Sequence, residues 1–406
     1  MDHTSPPVFI CDALRTLIGR YGGSLASVRS DDLGAVPIRG LMARHPALDW
    51  AQLDEVYLGC ANQAGEDNRK VARMSLLLAG LPQSVAGVTI NRLCGSGMDA
   101  VGTAARAIQS GQIDLAVAGG VESMTRAPWV MAKAEVAFGR EQRMEDSTLG
   151  WRFVNPQFRE RFGVDTMAET AQNVAVQFAV SREDQDAFAL RSQQRAAQAQ
   201  TRGYFAAEIV MVDIPGRKGA NATSVKHDEH IRADATAAAL ARLTPLVRTP
   251  GTVTAGNASG INDGACALLL ASEPAVQRHG LTPRARVLGM ATAGVPPRTM
   301  GMGPMPATRR LCERLRMQAG DFDAIELNEA FAAQALACLR ELGLPDSAAH
   351  IKPNGGAIAL EHPLGMSGAR LVMTLVHQLN EMDGKRGLAT MCVGVGQGIA
   401  LAIARA

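Results

Sequence analysis

A cysteine and a histidine lie at equivalent positions of two similar segments in this chain. Residues 87–98 read GVTINRLCGSGM and residues 355–366 read GGAIALEHPLGM, which places Cys94 and His362 268 positions apart. A thiol becomes a strong nucleophile when a nearby base removes its proton. If the two segments pack about a pseudo-twofold axis, thiol and imidazole would meet at the seam. The pair therefore predicts nucleophilic catalysis by a cysteine.

A second similarity extends the repeat upstream. Residues 52–61 (QLDEVYLGCA) resemble residues 321–330 (DFDAIELNEA) at a spacing of 269. Chance is the alternative in a chain rich in Gly, Ala and Leu, but two windows in nearly the same register favour duplication. We therefore predict two related halves.

The positions of both reactive residues suit their chemistry. Cys94 follows a predicted strand and precedes a predicted helix, where free N–H groups and the helix dipole favour a thiolate. His362 is followed by Pro363, a residue common in the first turn of a helix. A purely structural role for a His-Pro pair is the alternative.

Two further motifs could add polar groups to the same site. In MCVGVGQG, Cys392 ends a predicted strand, and the glycines that follow, Gly394 among them, expose N–H groups that could bind an oxyanion. In ELNEAFA, Asn328 at a strand end can donate a hydrogen bond, although this signal is weak by itself.

Composition excludes several classes of function. The chain has 406 residues, enough for two or three domains, and is 47% hydrophobic and 20% charged, as is ordinary for a globular enzyme. A net charge of +2 provides no basic surface for nucleic acid. No apolar run reaches the ~18 residues of a membrane span, and the first residues, MDHTSPPVFICDALRT, do not resemble a secretory signal.

The cysteines indicate a reducing compartment. They are odd in number, widely scattered and without a CxxC pair: Cys11, Cys60, Cys94, Cys266, Cys312, Cys338 and Cys392. This spacing predicts neither a disulfide framework nor a metal site. We therefore expect reduced thiols in the cytoplasm.

Short apolar runs alternate with helical patterns in both halves. The predicted strands are residues 8–11, 55–58, 85–90, 115–118, 286–290, 324–327, 356–358 and 388–393. The predicted helices are residues 73–79, 97–109, 306–315, 330–342 and 364–380. This alternation predicts an α/β fold in which helices cover a largely parallel sheet.

The region of about residues 121–253 has no counterpart in the second half. We interpret it as a loop domain that shapes the substrate entrance, with a mobile surface excursion as the alternative. It belongs to a predicted N-terminal domain of residues 1–273. A break near residues 272–283 separates this from a C-terminal domain of residues 283–406.

The four motifs, in this order and across the whole chain, resemble the thiolase family. The resemblance implies a duplicated αβαβα layered fold with an inserted loop domain. Within the family, residues 139–156, 254–265 and 390–398 look most like members that act on 3-oxoadipyl-CoA in the degradation of aromatic compounds (the β-ketoadipate pathway).

The resemblance also implies roles for particular residues. Cys94 is expected to accept the acyl group, His362 to act as its base and Cys392 to act as a second acid/base. Asn328 is expected to hold an oxyanion-hole water, and the N–H groups of Cys94 and Gly394 to form a second oxyanion hole.

Coenzyme A contacts carry over to Arg232, Ser259 and Met167. CoA is expected as a co-substrate, with no permanently bound cofactor and no metal, in a homodimer or homotetramer. The expected reaction converts 3-oxoadipyl-CoA and CoA into succinyl-CoA and acetyl-CoA. The alternatives are a broad 3-ketoacyl-CoA or acetoacetyl-CoA thiolase and, in another class, a catalytically impaired acyl-CoA-binding protein.

Three residues depart from the family pattern. Glu361 replaces the glycine that most members have before the histidine. A positive φ there would cost roughly 1 kcal/mol, and an ionised carboxylate would favour imidazolium, so we hypothesise a slower enzyme. Lys352 stands where relatives often have Asn, and Thr166 where short-chain biosynthetic members have His, which argues against acetoacetyl-CoA synthesis.

A six-carbon dicarboxylic acyl group would need a cation for its distal carboxylate, and arginine is the best suited. The loop domain offers Arg126, Arg140, Arg143, Arg152, Arg159 and Arg161. A solvated surface charge is the alternative for each. Arg152 is the candidate for structuring this region.

Overall fold

A computed structural model describes residues 6–214, 216 and 221–406 of the chain. The strands in this part are β1 Val8–Arg15, β2 Gly19–Arg20, β3 Glu55–Gly59, β4 Ala86–Ile90, β5 Leu115–Ser123, β6 Trp129–Met131, β7 Met144–Asp146, β8 Val212–Ile214, β9 Thr223–Val225, β10 Asn262–Ser272, β11 Ala285–Gly294, β12 Ala324–Leu327, β13 Arg386–Val393 and β14 Gln397–Arg405.

The helices are α1 Ser30–Arg44, α2 Val71–Ala79, α3 Ser96–Gln109, α4 Pro156–Phe162, α5 Met167–Gln177, α6 Arg182–Thr201, α7 Ala237–Ala241, α8 Glu273–His279, α9 Pro304–Leu315, α10 Ala332–Glu341, α11 Ala357–Leu360 and α12 Leu364–Glu381. Single 3₁₀ turns occur at Trp50–Gln52, Tyr204–Ala207, Pro297–Met302 and Ala319–Asp321.

One large sheet runs through both halves in the order β12-β13-β14-β11-β1-β10-β5-β3-β4, and β2 pairs with β10. The halves join at the centre, where Phe9 and Ile10 of β1 pair with Arg286 and Ala285 of β11. Outward from this seam, the order β1-β10-β5-β3 matches β11-β14-β13-β12. The strand order therefore repeats, as the two sequence windows predict.

The prediction of a largely parallel sheet is wrong. Among the described residues, only the pairs β3–β4, β3–β5 and β12–β13 of this sheet are parallel, and its other neighbouring strands run antiparallel. The sequence patterns missed β10 and β14, which lie between β1 and β5 and between β11 and β13. Because only a short turn joins β14 to β13, the two strands must run in opposite directions.

In the described part of the chain, three large hydrophobic cores lie between the five layers, and a fourth, small apolar cluster contains Cys392. Residues of α3 and α12 fill the middle core between the two half-sheets. Residues of α1, α2 and α8 cover the outer face of the first half-sheet, and those of α9 and α10 cover that of the second. The expected αβαβα layering is confirmed.

The two middle helices approach each other through glycines. A Cβ on Gly97 of α3 would lie 2.6 Å from the carbonyl oxygen of Gly365 in α12. A Cβ on Gly368 would lie 2.5 Å from the backbone nitrogen of Met98. Only glycine permits this approach, which brings the N-terminal ends of α3 and α12 together.

The structure differs from the sequence-based predictions at two short segments. Residues 356–358 are not a strand, because Ala357–Leu360 form the short helix α11. The segment was too short for its apolar pattern to separate helix from strand. The predicted break at 272–283 contains α8, Glu273–His279. The division into domains at this point stays a prediction.

A buried ion network fixes part of the loop domain to the central sheet. The Arg15 guanidinium of β1 lies 2.9 Å from Glu208 and 2.7 Å from Asp228, and these side chains are at most 1% exposed. Breaking a buried ion pair typically costs ~3–5 kcal/mol. This part of the insertion is therefore held in place, contrary to the alternative of a mobile excursion.

Candidate active site

Cys94 lies in a tight corner between β4 and α3. Leu93, the residue before it, has a positive φ of 45°. The Ser96 hydroxyl donates to the Leu93 carbonyl at 2.6 Å and accepts from the Arg92 N–H at 2.9 Å. These bonds hold the turn that places the thiol two residues before the first residue of α3.

The thiol of Cys94 is neutral in the resting protein. Burial raises its pKa to about 11, and hydrogen bonds from the N–H groups of Gly394 and of Cys94 itself oppose this only in part. The N–H groups favour a thiolate, as expected, but desolvation outweighs them. The same two N–H groups are the expected oxyanion donors, and they converge on the sulfur.

His362 is held as a neutral base. Its Nδ1 lies 2.6 Å from the Ser367 hydroxyl, which also lies 2.8 Å from the Pro363 carbonyl. Since that carbonyl can only accept, the hydroxyl proton is committed to it, and we assign the ring proton to Nδ1. The buried Nε2 has no hydrogen-bond partner in the described part of the chain. Burial and the charge of Arg370 lower the imidazole pKa to about 3.

Cys392 and Asn328 come from neighbouring parallel strands. Asn328 follows β12, and its N–H donates to the Thr390 carbonyl of β13 at 3.0 Å. Both polar atoms of its buried side chain are without a hydrogen-bond partner among the described residues. Burial raises the pKa of the Cys392 thiol well above its ordinary value, and the nearby Cys94 adds to the shift.

The structure thus brings the predicted chemical groups to one end of the sheet. Cys94 contacts Gly394 and is electrostatically coupled to Cys392. Asn328 lies beside the last residues of β13. His362 enters from the start of α12, which packs against the start of α3 through Gly97.

The predicted CoA contacts lie on three different segments. Met167 begins α5 and packs against the small apolar cluster that contains Cys392. The N–H and hydroxyl of Ser259 both reach the Ala330 carbonyl of the same cluster, at 2.9 and 3.2 Å. Arg232 is exposed, and its backbone N–H donates to the Gln193 side chain at 2.8 Å.

Glu361 adopts a backbone conformation that is nearly exclusive to glycine, with φ 78° and ψ −179°. The condition for a strained backbone at this position, a positive φ, is therefore met. Its carboxylate accepts from the Gly260 N–H and lies 3.2 Å from Nδ1 of His230. Burial raises the Glu361 pKa to about 8. The expectation that Glu361 favours imidazolium at His362 is wrong, because that ring's pKa falls.

The other two departures have structural roles. Thr166 caps α5 in a reciprocal box with Glu169. Lys352 is 4% exposed and pairs with the Glu329 carboxylate, next to Asn328. Burial lowers the Lys352 pKa.

Two residues that the sequence patterns did not single out support the site. Glu122 at the end of β5 accepts from the N–H groups of Ala61, Asn62 and Gly365 at 2.8–3.0 Å, which joins β5 to the start of α12. Burial raises its pKa to about 7. An acid inside the buried run LAVAGGVES was the available signal. Ser367 was detectable only by its helical spacing from His362.

Among the candidate arginines, Arg126 is paired with Glu66 at 2.7 Å. Arg140, Arg143, Arg159 and Arg161 are exposed, and Arg152 is half-buried. Sequence reasoning did not consider Arg298, which lines a narrow depression together with Met167 and Val395. Its Nε donates to Asp165 at 2.9 Å.

Within the described residues, no helix is both long and apolar enough to cross a membrane.

Two family models together match nearly the whole chain. The model of the thiolase N-terminal domain matches residues 8–274, and that of the thiolase C-terminal domain matches residues 281–405.

Known proteins with similar sequences cover the full length. The chain is 68% identical over 401 residues to a beta-ketoadipyl-CoA thiolase of Pseudomonas aeruginosa, covering 99% of this chain and 100% of that protein. It is 62% identical over 397 residues to the 3-oxoadipyl-CoA/3-oxo-5,6-dehydrosuberyl-CoA thiolase of Escherichia coli K12, covering 98% and 99%. The crystal structure of the Bacillus anthracis acetyl-CoA acetyltransferase aligns with a TM-score of 0.90 at 39% identity, covering 99% of both chains. The chain belongs to the thiolase family.

Proposed function

We propose that this protein cleaves 3-oxoadipyl-CoA with CoA to give succinyl-CoA and acetyl-CoA, through an acyl group carried on Cys94. The observation that carries the proposal is a buried thiol with two N–H donors and a second thiol nearby, together with a neutral histidine at the start of α12 whose Nε2 has no hydrogen-bond partner among the described residues. The names of the relatives that are 62% and 68% identical support the acyl chain.

In the first half-reaction, Cys94 attacks the C3 keto carbon while His362 Nε2 removes the thiol proton. The N–H groups of Cys94 and Gly394 stabilise the tetrahedral oxyanion. The C2–C3 bond then breaks and leaves succinyl-Cys94 and the enolate of acetyl-CoA. Cys392 protonates the C2 carbon, which releases acetyl-CoA.

In the second half-reaction, the thiol of a fresh CoA attacks the thioester of succinyl-Cys94. Cys392, left as a thiolate by the first half-reaction, takes the thiol proton, and the departing sulfur of Cys94 recovers the proton held on His362 Nε2. Because one thioester replaces another, the step is nearly balanced in energy. CoA serves as co-substrate, and we expect no permanently bound cofactor and no metal.

Asn328 and His362 provide a place for the enolate oxygen. The two polar atoms of the Asn328 side chain are buried and have no hydrogen-bond partner in the described part of the chain, so they can hold a water. His362 Nε2 carries a proton after the attack. An oxyanion donor of this kind typically contributes ~3 kcal/mol to lowering the barrier. General acid–base catalysis adds about 10²–10⁴-fold.

Arg298 is our candidate for the distal carboxylate of the acyl chain. It shares a depression with Met167 and Val395, and Val395 follows the oxyanion donor Gly394. Arg298→Met should reduce kcat/KM for 3-oxoadipyl-CoA and leave that for acetoacetyl-CoA unchanged. Arg159→Met, an exposed arginine of the same region, is the matched control. Equal losses on both substrates would remove Arg298 as a selector.

We further propose a cytoplasmic homodimer or homotetramer that acts in the degradation of aromatic compounds. Strand β4 lies at the edge of the sheet and is partly exposed, and such an edge can pair with a second copy. Large apolar side chains of the loop domain are also open to solvent, with Trp129 at 63% and Phe138 at 101% exposure. Light scattering of the purified protein tests this: a monomer would contradict it.

Mass spectrometry gives the decisive test of the reaction. Protein mixed with 3-oxoadipyl-CoA in the absence of free CoA should carry a succinyl group on Cys94, and added CoA should remove it as succinyl-CoA. Cys94→Ala is the control and should carry none. An unmodified wild-type protein would overturn the proposed function, whereas an acetyl group formed from acetoacetyl-CoA alone would favour a short-chain thiolase.

A further inference from the structure

The Glu361 carboxylate joins three separate segments of the active site. Its backbone continues directly into the base, His362. One carboxylate oxygen accepts from the Gly260 N–H, and the other lies 3.2 Å from Nδ1 of His230. Asn262, two residues after Gly260, accepts with its Oδ1 from the His362 N–H at 3.1 Å.

Two of these segments carry the proposed CoA contacts. His230 lies two residues before Arg232, and Gly260 directly follows Ser259. The positive charge of Arg232 is close enough to favour the ionised form of Glu361. Glu361 thus reaches both CoA segments from the backbone that carries the base.

The conformation of Glu361 shows that these contacts hold it. A φ of 78° with a ψ of −179° is accessible at low cost only to glycine, and other residues adopt it only when their surroundings fix them. The side chain is 5% exposed, so water does not replace these partners. The carboxylate contacts are therefore what stabilises an otherwise unfavourable turn.

We propose that Glu361 is a positioning residue that ties the base His362 to the two segments that bind CoA. CoA seated against Arg232 and Ser259 steadies His230 and Gly260, and through the carboxylate it steadies the turn before His362. The base is then correctly placed when CoA is bound. This inference rests on the proposed function, because that proposal assigns the CoA contacts.

Three substitutions separate the carboxylate contacts with Gly260 and His230, which we call the tie, from the unfavourable positive φ of the turn. Glu361→Ala keeps the unfavourable turn and removes the tie. Glu361→Gly removes the tie but accepts the turn freely. Glu361→Gln keeps both polar contacts, because its oxygen can accept from Gly260 and its NH₂ can donate to His230.

Calorimetric titration of each full-length variant with free CoA, without acyl substrate, measures the tie directly. Glu361→Ala and Glu361→Gly should both bind CoA roughly tenfold more weakly, an effect of the size expected for the loss of one buried hydrogen bond. Glu361→Gln should bind within about twofold of wild type. In thiolysis, the KM for CoA should rise in the Ala and Gly variants and kcat should fall, with recovery in Gln.

Thermal unfolding distinguishes a structural role. A merely structural Glu361 would lower the Tm of Glu361→Ala and leave CoA affinity and the KM for CoA unchanged, which would overturn the inference. Glu361→Gly should restore the Tm relative to Ala without restoring CoA affinity. A Gly variant that is faster than wild type would overturn the inference and support the hypothesis that Glu361 slows the enzyme.

His230→Ala provides a second route if a Glu361 variant fails to fold. It should weaken CoA binding, and combined with Glu361→Ala it should add little further loss, because both changes break the same tie. Additive losses would overturn the inference. A wild-type protein that does not bind CoA would instead overturn the proposed function, and the inference with it.

Discussion

The corners that present Cys94 and His362 are built alike but filled differently. Helices α3 and α12 begin at Ser96 and Leu364, and the residue before each reactive group, Leu93 or Glu361, has a positive φ of 45° or 78°. Ser96 and Leu364 are 268 positions apart, and so are Leu93 and Glu361. The entering elements differ, since the strand β4 precedes one corner and the short helix α11 the other. The duplication thus preserves the turn that aims the side chain, and the side chain itself decides the chemistry.

Burial shifts the pKa values of the Cys94 thiol and the His362 imidazole in opposite directions, but it disfavours the charged form of both. It raises the pKa of the Cys94 thiol to about 11 and lowers that of the His362 imidazole to about 3. In both cases the charged form, thiolate or imidazolium, is the one that loses hydration. The resting pair is therefore a neutral thiol and a free base, and charge forms only during attack.

The largest difference between the corners should appear when each side chain is removed. Cys94→Ala should lower kcat by about 10⁴-fold or more, because no acyl group can form. His362→Ala should lower it by about 10²–10⁴-fold, because the thiol still reacts in its small ionised fraction. Steady-state thiolysis measures both. Equal kcat values for wild type and Cys94→Ala would refute the assignment of the nucleophile.

The Asn328→Ala variant tests the proposal that Asn328, together with His362, stabilises the enolate. Asn328→Ala should lower kcat by about 10²–10³-fold, as the loss of an oxyanion donor does. Its Tm should change little, because neither polar atom of the side chain has a hydrogen-bond partner in the described part of the protein. A large fall in Tm with unchanged kcat would show a structural role instead.

The pH dependence of Cys94 alkylation tests the neutral resting pair. With a pKa of about 11, the thiolate fraction should increase tenfold for each pH unit, so the rate with iodoacetamide should rise about 100-fold from pH 7 to pH 9. Peptide mapping of the alkylated protein identifies the residue. A rate that levels off near pH 7 would indicate a resting thiolate–imidazolium pair.

The smallest expected effect concerns Ser367, which holds the His362 ring in one tautomer. Ser367→Ala removes the acceptor of the His362 Nδ1 proton, frees the ring to change tautomer and should lower kcat by about tenfold. Ser75→Ala is the matched control, since it removes another buried hydroxyl, which bonds the Asp31 carbonyl at 2.9 Å in the outer layer. Equal kcat values for the two variants would contradict the role of Ser367.

Sequence patterns predicted several strands of the sheet and most helices of the middle and outer layers, because the apolar residues of these elements recur with strand or helix periodicity. The prediction for β12, residues 324–327, matches the structure, and residues 97–109 differ from α3 by one residue. Sequence patterns failed where contacts with other segments decide the direction of a strand or whether a segment forms a helix or a strand. The antiparallel strands β10 and β14 and the helical turn Ala357–Leu360 depend on neighbours that are distant in the chain.

The order of motifs and the repeat allowed the candidate groups of the site to be named from the sequence alone. Cys94, His362, Cys392 and Asn328 could be named because duplication and strand ends leave local marks in the sequence. Only the tertiary structure decided their protonation and support, as the neutral thiol, the Nδ1 tautomer set by Ser367 and the contacts of Glu361 show. The physical reason is that burial and hydrogen-bond partners come from segments far apart along the chain, whereas residue type and spacing are local.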